Sequence, residues 1–218
     1  MSASLGQAIL SLARAAVMSN MKLWLAVGCC ACLFAFPSAG VAKTSEFMGG
    51  TLVPGRGIIV NVPGDSQPTQ VFLGSKLMKI YPRLNRIGTD LVQNRDGSWT
   101  LDFDKTASTL VDIQIDKSLR VDQVVVGAPT FCMARPAKTC VRSPTGLSVI
   151  KRSYGSRVSP GTNGQSDELC AGPDALRLLT SSGGRQVSTD FVPSDSNARE
   201  LTLVTVVYTA IQTRYCHG

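Results

Sequence analysis

From residue 50 onward, apolar residues come in short runs, often at every second position, separated by Gly, Pro, Asp and Ser. Such alternation predicts β-strands, because successive side chains of a strand point to opposite faces. Residues 57–62 are β-branched and bounded by Gly55 and by Pro63-Gly64. Residues 69–73 and 76–81 flank Gly74-Ser75, a plausible tight turn between two strands. Asp96-Gly97 separates 89–93 from 99–103, where Trp99, Leu101 and Phe103 alternate with polar residues; this is a hairpin signal. In 110–116, Val111, Ile113 and Ile115 fall on one face, and 119–126 follows with Leu119, Val121 and Val125 expected inward. Residues 147–151 read as a short strand, and 153–168 as an exposed polar loop rich in Gly and Ser. A further hairpin is expected from 176–180 and 186–192 around Ser181-Ser182-Gly183-Gly184. The last strand, 201–212, is the longest, and within 203–208 both its faces are apolar, which predicts a central position. The pattern makes about ten short strands and no sustained helical period, which suggests an antiparallel sandwich or barrel. We expect an all-β fold, an antiparallel β-sandwich, formed by residues 43–218 as a single domain.

The N-terminal region has a different texture. Residues 23–36 are an apolar run after Met21-Lys22, followed by Pro37-Ser38-Ala39-Gly40-Val41-Ala42. A basic start, an apolar stretch and small residues make the three-part layout of a signal peptide, expected at 21–42 within an export segment of 1–42. Met21 is the expected start of translation. The run falls short of the roughly 20 apolar residues that a membrane-spanning helix needs. Ala26-Val27-Gly28-Cys29 invites a lipoprotein reading, but leucine is missing three positions before the cysteine. Cys29, Cys30 and Cys32 are expected to leave with the signal, placing the mature chain in the periplasm, at the cell surface or outside the cell.

Export changes how the other cysteines are read. Cys132, Cys140, Cys170 and Cys216 are an even set in an oxidising compartment, so two disulfides with three possible connectivities are expected. The favoured pairs are Cys132–Cys140, if residues 134–139 double back, and Cys170–Cys216, tying a loop to the end of the last strand. Zinc is a poorer reading, because the spacings match no common ligand pattern. Losing Arg14 and Lys22 leaves 20 of 22 basic residues against 15 acidic ones, a net charge of +5. Residues 123–166 hold no acid but carry Arg135, Lys138, Arg142, Lys151, Arg152 and Arg157, whereas 90–122 hold seven aspartates. A basic face can meet anionic glycan, a lipid headgroup or an acidic neighbour, although such runs usually only face water. Nucleic acid is not expected as a partner of an exported chain with few aromatics near its basic residues.

Catalytic chemistry is sparse, and no enzyme, cofactor or metal is expected. His217 is the one histidine, and a disulfide-bonded Cys216 beside it is no nucleophile. Asp102 and Asp104 share one side of a strand, where a calcium or glycosidase pair is weighed against the solvated face opposite Trp99, Leu101 and Phe103. Gly55 and Gly57 lack the downstream pattern of a phosphate-binding loop.

Two functions remain in view. The first is assembly. Strand-prone residues 49–53 and 58–62 follow a flexible lead-in, and Leu201, Leu203, Val204, Val206 and Tyr208 lie on a long apolar strand at the other end. An extended segment of one chain can complete the sheet of another. In this arrangement the chain resembles bacterial fimbrial subunits of the chaperone–usher type. The resemblance implies an incomplete immunoglobulin-like sandwich, Ile58, Val60 and Val62 as donor residues, and an acceptor groove bordered by the last strand. It also implies neighbouring subunits or a periplasmic chaperone as partners. The chain departs from that family in continuing past its last strand to Gly218 and in carrying its cysteines late. The second function is a self-contained binding module for a glycan or envelope component. Its ligand loop would hold Arg152, Tyr154 and Arg157, with Tyr154 either stacking on a sugar or half-buried.

Overall fold

A computed structural model describes residues 49–103, 111–161, 170, 172–194 and 199–216, all within the unit Lys43–Gly218. Residues 1–42, Asp104 and His217 lie outside the described residues, and with them the export segment, one member of the aspartate pair and the lone histidine.

The described strands form two sheets. The smaller contains β1 (Gly50–Val53), β2 (Gly57–Val60), β3 (Thr69–Phe72) and β8 (Phe131–Met133) in the order β3-β2-β1-β8. Its pairs are antiparallel except for the parallel β1–β8 pair. The larger sheet is antiparallel throughout and joins two runs of four consecutive strands. One is β4 (Asp90–Gln93), β5 (Trp99–Asp102), β6 (Val111–Ile115) and β7 (Val121–Val126). The other is β9 (Val158–Pro160), β10 (Leu176–Ser182), β11 (Arg185–Pro193) and β12 (Leu201–Tyr208). The runs meet at β7–β12, giving the order β4-β5-β6-β7-β12-β11-β10-β9.

Alternation decides which side chains enter the core. Val111, Ile113 and Ile115 of β6 are fully buried, as the period of two requires. Together with Leu101, Val124 and Val206 they share one cluster with Leu52, Ile58, Val60 and Val71 of the smaller sheet. The sheets also touch through backbone. Gly55 N–H donates to Thr189 Oγ1 at 2.7 Å across 134 residues of sequence. Both faces of β12 are used: Val204, Val206 and Tyr208 enter the main cluster, and Leu203 joins Val125, Ala175 and Val192 in a second one. Val125 turns away from the cluster that holds Val121 and Val124, because the register shift opposite Gln114 and Ile115 inserts one residue after Val121 and resets the alternation, so that Val124 rather than Val125 faces inward.

Two expected strands, and the end of a third, are corrected to helices. Residues 76–81 do not pair back onto 69–73. They begin α1 (Leu77–Leu84), because Leu77, Ile80 and Leu84 repeat at i, i+3 and i+7 and bury one helical stripe while Met78 stays exposed. Residues 147–151 lie in α2 (Gly146–Tyr154), which buries Leu147, Ile150 and Tyr154 at the same spacing. The last strand stops at Tyr208, and 209–212 begin α3 (Thr209–Tyr215). The expected loop from 153 is likewise corrected as far as Pro160: it closes α2, makes a 3-10 turn at Gly155–Arg157 and adds the edge strand β9.

Both disulfides join the favoured pairs, Cys132–Cys140 and Cys170–Cys216. The first closes a chain reversal: Met133 N–H donates to Thr139 O at 2.8 Å, and Val141 N–H to Phe131 O at 3.0 Å. The second anchors the segment that follows α3. A buried polar network fastens the same helix to β11, where Asp190 accepts from Arg177 Nε at 2.9 Å, from Ser188 Oγ at 2.7 Å and from Gln212 Nε2 of α3. Asp190 is 1 % exposed, so these donors replace the water that its carboxylate gives up on folding. No helix among the described residues is long and apolar enough to cross a membrane.

Candidate functional site

The helical spacing of α1 creates a feature that a strand reading hides. With Leu77, Ile80 and Leu84 turned inward, Lys76, Lys79 and Arg83 fall at i, i+3 and i+7 on an exposed stripe. The chain entering α1 is pinned beside β7. Gly74 N–H donates to Val121 O at 2.7 Å, Val121 N–H to Ser75 O at 2.9 Å, and Leu77 N–H to Leu119 O at 2.9 Å. That pairing sets Lys76 opposite Arg120, whose Nη1 donates to Gly74 O at 3.0 Å.

The result is a cleft of about 490 Å³ with Lys76, Lys79, Arg83 and Arg120 on its walls, and no acidic side chain among the described residues lining it. Thr69 and Ser75 also line it. Thr69 is 3 % exposed, and its Oγ1 is buried without a hydrogen-bond partner. Ser75 Oγ accepts the Phe72 N–H at 3.2 Å, which leaves its hydroxyl hydrogen to donate. Asp65 ion-pairs with Arg86 and, at 3.9 Å from its Nε, with Arg83, a separation too long for a hydrogen bond. Four cations converging on one concavity raise its potential and concentrate anions there.

A second cleft of about 450 Å³ is polar and of mixed charge, with Asn94, Arg95, Asp96, Gln114, Asp122 and Gln123 among its lining residues. Asp96 accepts from Ser98 Oγ at 2.6 Å and Ser98 N–H at 3.0 Å, which hold its carboxyl below the ordinary range. Burial, with help from Asp116, pushes Asp122 up to about 6. The Asp122 Oδ1 atom is buried without a hydrogen-bond partner.

The residues singled out from sequence are placed as follows. Ile58 and Val60 sit in β2, hydrogen-bonded to β1 on one side and β3 on the other, and both are fully buried; Val62 is buried just beyond it. Leu201, Leu203, Val204, Val206 and Tyr208 are buried in β12 between β7 and β11. Thus β2 is paired on both edges along its length, whereas β12 is paired with β11 along its length and with β7 over residues 204–207. The ligand-loop residues lie on helix and 3-10 turn rather than on an open loop. Tyr154 is buried, its ring stacked 6.2 Å from Phe191, with the Arg157 guanidinium 5.7 Å from its centroid. Burial raises its phenol above the ordinary value, with Arg157 partly offsetting this. Arg152 is exposed at the end of α2. Asp102 lies on β5 in register with Asp90 and Asp112.

Sequence reading thus missed the cationic cleft. The basic residues at 76, 79 and 83 were legible as a stripe only once that segment was read at the helical period, and Arg120 reaches them from a distant strand. No protein-family model matches the chain, and neither does any curated protein or solved structure.

Proposed function

We propose that the protein is an exported, non-catalytic binding module that holds an anionic group of a glycan or envelope component in the cleft between α1 and β7. The observation that carries this reading is the convergence of Lys76, Lys79, Arg83 and Arg120 on one concavity, lined also by Thr69, whose buried hydroxyl has no partner. Two disulfides are compatible with an oxidising compartment. We read the two sheets as layers of an antiparallel sandwich, since both send side chains into one cluster. On that scaffold the basic site moves from the 152–157 segment, where Tyr154 is committed to the core, to α1.

Fibre assembly by strand donation draws less support. Ile58 and Val60 would have to leave a strand paired on both sides, each giving up burial worth roughly 1.5–3 kcal/mol. The receiving groove beside β12 is filled by β7 and β11.

Calorimetry with dextran sulfate at low and physiological salt tests the binding reading. Affinity is expected to fall as salt rises, since exposed charges are screened. Lys79→Gln and Arg120→Gln should each weaken it by about 3- to 10-fold, a loss of roughly 0.7–1.4 kcal/mol. The pair Arg152→Gln and Arg157→Gln should leave it unchanged. Loss confined to that second pair would move the site to α2 and sink the cleft assignment.

A further inference from the structure

We infer that the group held in the cationic cleft is a phosphomonoester dianion. This inference rests on the anion-binding reading above and narrows it to one chemical class. The charges decide first. Lys76, Lys79, Arg83 and Arg120 bring four positive charges, of which Asp65, ion-paired with both Arg83 and Arg86, offsets only a part. A carboxylate brings a single negative charge and two oxygens, leaving most of that field uncompensated. A phosphomonoester brings a charge of about −1.5 to −2 and three strong acceptor oxygens.

The donors decide next. Arginine presents a planar fork suited to phosphate oxygens, and lysine a compact point charge, so the two kinds together suit a tetrahedral oxyanion. Thr69 and Ser75 add neutral hydroxyl donors beside the cations. The Thr69 hydroxyl is the more telling, because a buried polar group ordinarily has a partner and this one has none from the protein. In this proposal a third ligand oxygen supplies that partner once the residues that cover the Thr69 hydroxyl give way to the ligand. The same chemistry is carried by a lipid headgroup with a terminal phosphate and by a soluble phosphate ester.

The test uses the oxidised full-length protein and calorimetry with glycerol 3-phosphate, dimethyl phosphate and acetate. At pH 7.5 glycerol 3-phosphate is expected to bind about 10-fold more tightly than either of the others, about 1.4 kcal/mol. Its advantage should shrink toward pH 5, because a monoester loses its second charge near pH 6 and a diester has none to lose. Thr69→Val should cost the monoester about 5-fold and leave acetate unaffected, and Ser75→Ala reads the same contribution if the valine variant does not fold. Vesicles of phosphatidylcholine containing phosphatidic acid separate the sources. Binding displaced by glycerol 3-phosphate identifies the lipid headgroup, whereas binding of the soluble ester alone identifies a free ester, and either result supports the assignment. Equal affinity for all three small anions at both pH values overturns it while leaving an anion-binding module standing. Failure of these anions and of dextran sulfate together overturns both readings.

Discussion

Asp122 faces the polar cleft from β7 with one carboxylate oxygen unpartnered, and burial pushes its carboxyl up to about 6. Asp116 and Asp96 push in the same direction, and Arg185 opposes them. An unfolded aspartate titrates near 3.9. The folded state therefore binds the proton more readily, so this group's stabilising contribution is full below about pH 4 and is lost as pH rises through about 6. Replacing it with the neutral isostere should remove the penalty. Asp122→Asn is expected to raise stability at pH 7.5 by about 1–2 kcal/mol, after discounting for the water that reaches the group, and to change little at pH 4. Urea unfolding at the two pH values measures the difference. An equal loss at both would mean that Asp122 makes a favourable contact as an ion.

Among the elements, the hairpin formed by β1 and β2 depends on a single backbone approach. Its turn residue Gly55 has φ +79, and a Cβ there would stand 2.4 Å from Thr180 Oγ1 on β10. The adjoining N–H is the one that donates to Thr189. Gly55→Ala therefore meets a left-handed backbone and a collision at once, and it should destabilise by roughly 2 kcal/mol or more. A thermal melt of the variant reads this directly, and an unchanged melt would show that the hairpin can lift from the sheet without loss. Helix α1 shows the converse, an element whose outer surface can change freely. Lys79 projects from it into the cleft, so exchange to Gln should alter ligand affinity but leave the melt within about 0.5 kcal/mol.

At the scale of the whole molecule, the pairing of β2 on both sides, and of β12 with β11 and β7, leads to the expectation of a self-complemented chain. The oxidised chain is expected to run as a monomer across concentration, and added peptide 49–62 should neither bind nor raise its melting temperature. Size-exclusion chromatography and melting check this. Concentration-dependent association reversed by the peptide would revive strand donation through Ile58, Val60 and Val62. The exposed edge strand β4, with Val92 about half exposed, is the edge to examine in that event.

Period-two alternation was sufficient, without tertiary information, for the β-rich class, the β4–β5 and β10–β11 hairpins, the inward face of β6 and the central place of β12. Each follows from local geometry, because a strand must turn alternate residues to opposite faces. The cysteine set implied two disulfides, and chain reversal between Cys132 and Cys140 made one pairing reachable. Helices α1, α2 and α3 were not legible, because runs as short as 77–80 and 147–150 fit either period and packing against the sheets selects between them. Nor was the cationic cleft. Its stripe exists only if residues 77–84 are helical, and Arg120 joins it only because residues 74–77 pair with 119–121. Local alternation is written residue by residue, whereas a site assembled from a helix and a remote strand is decided by their packing.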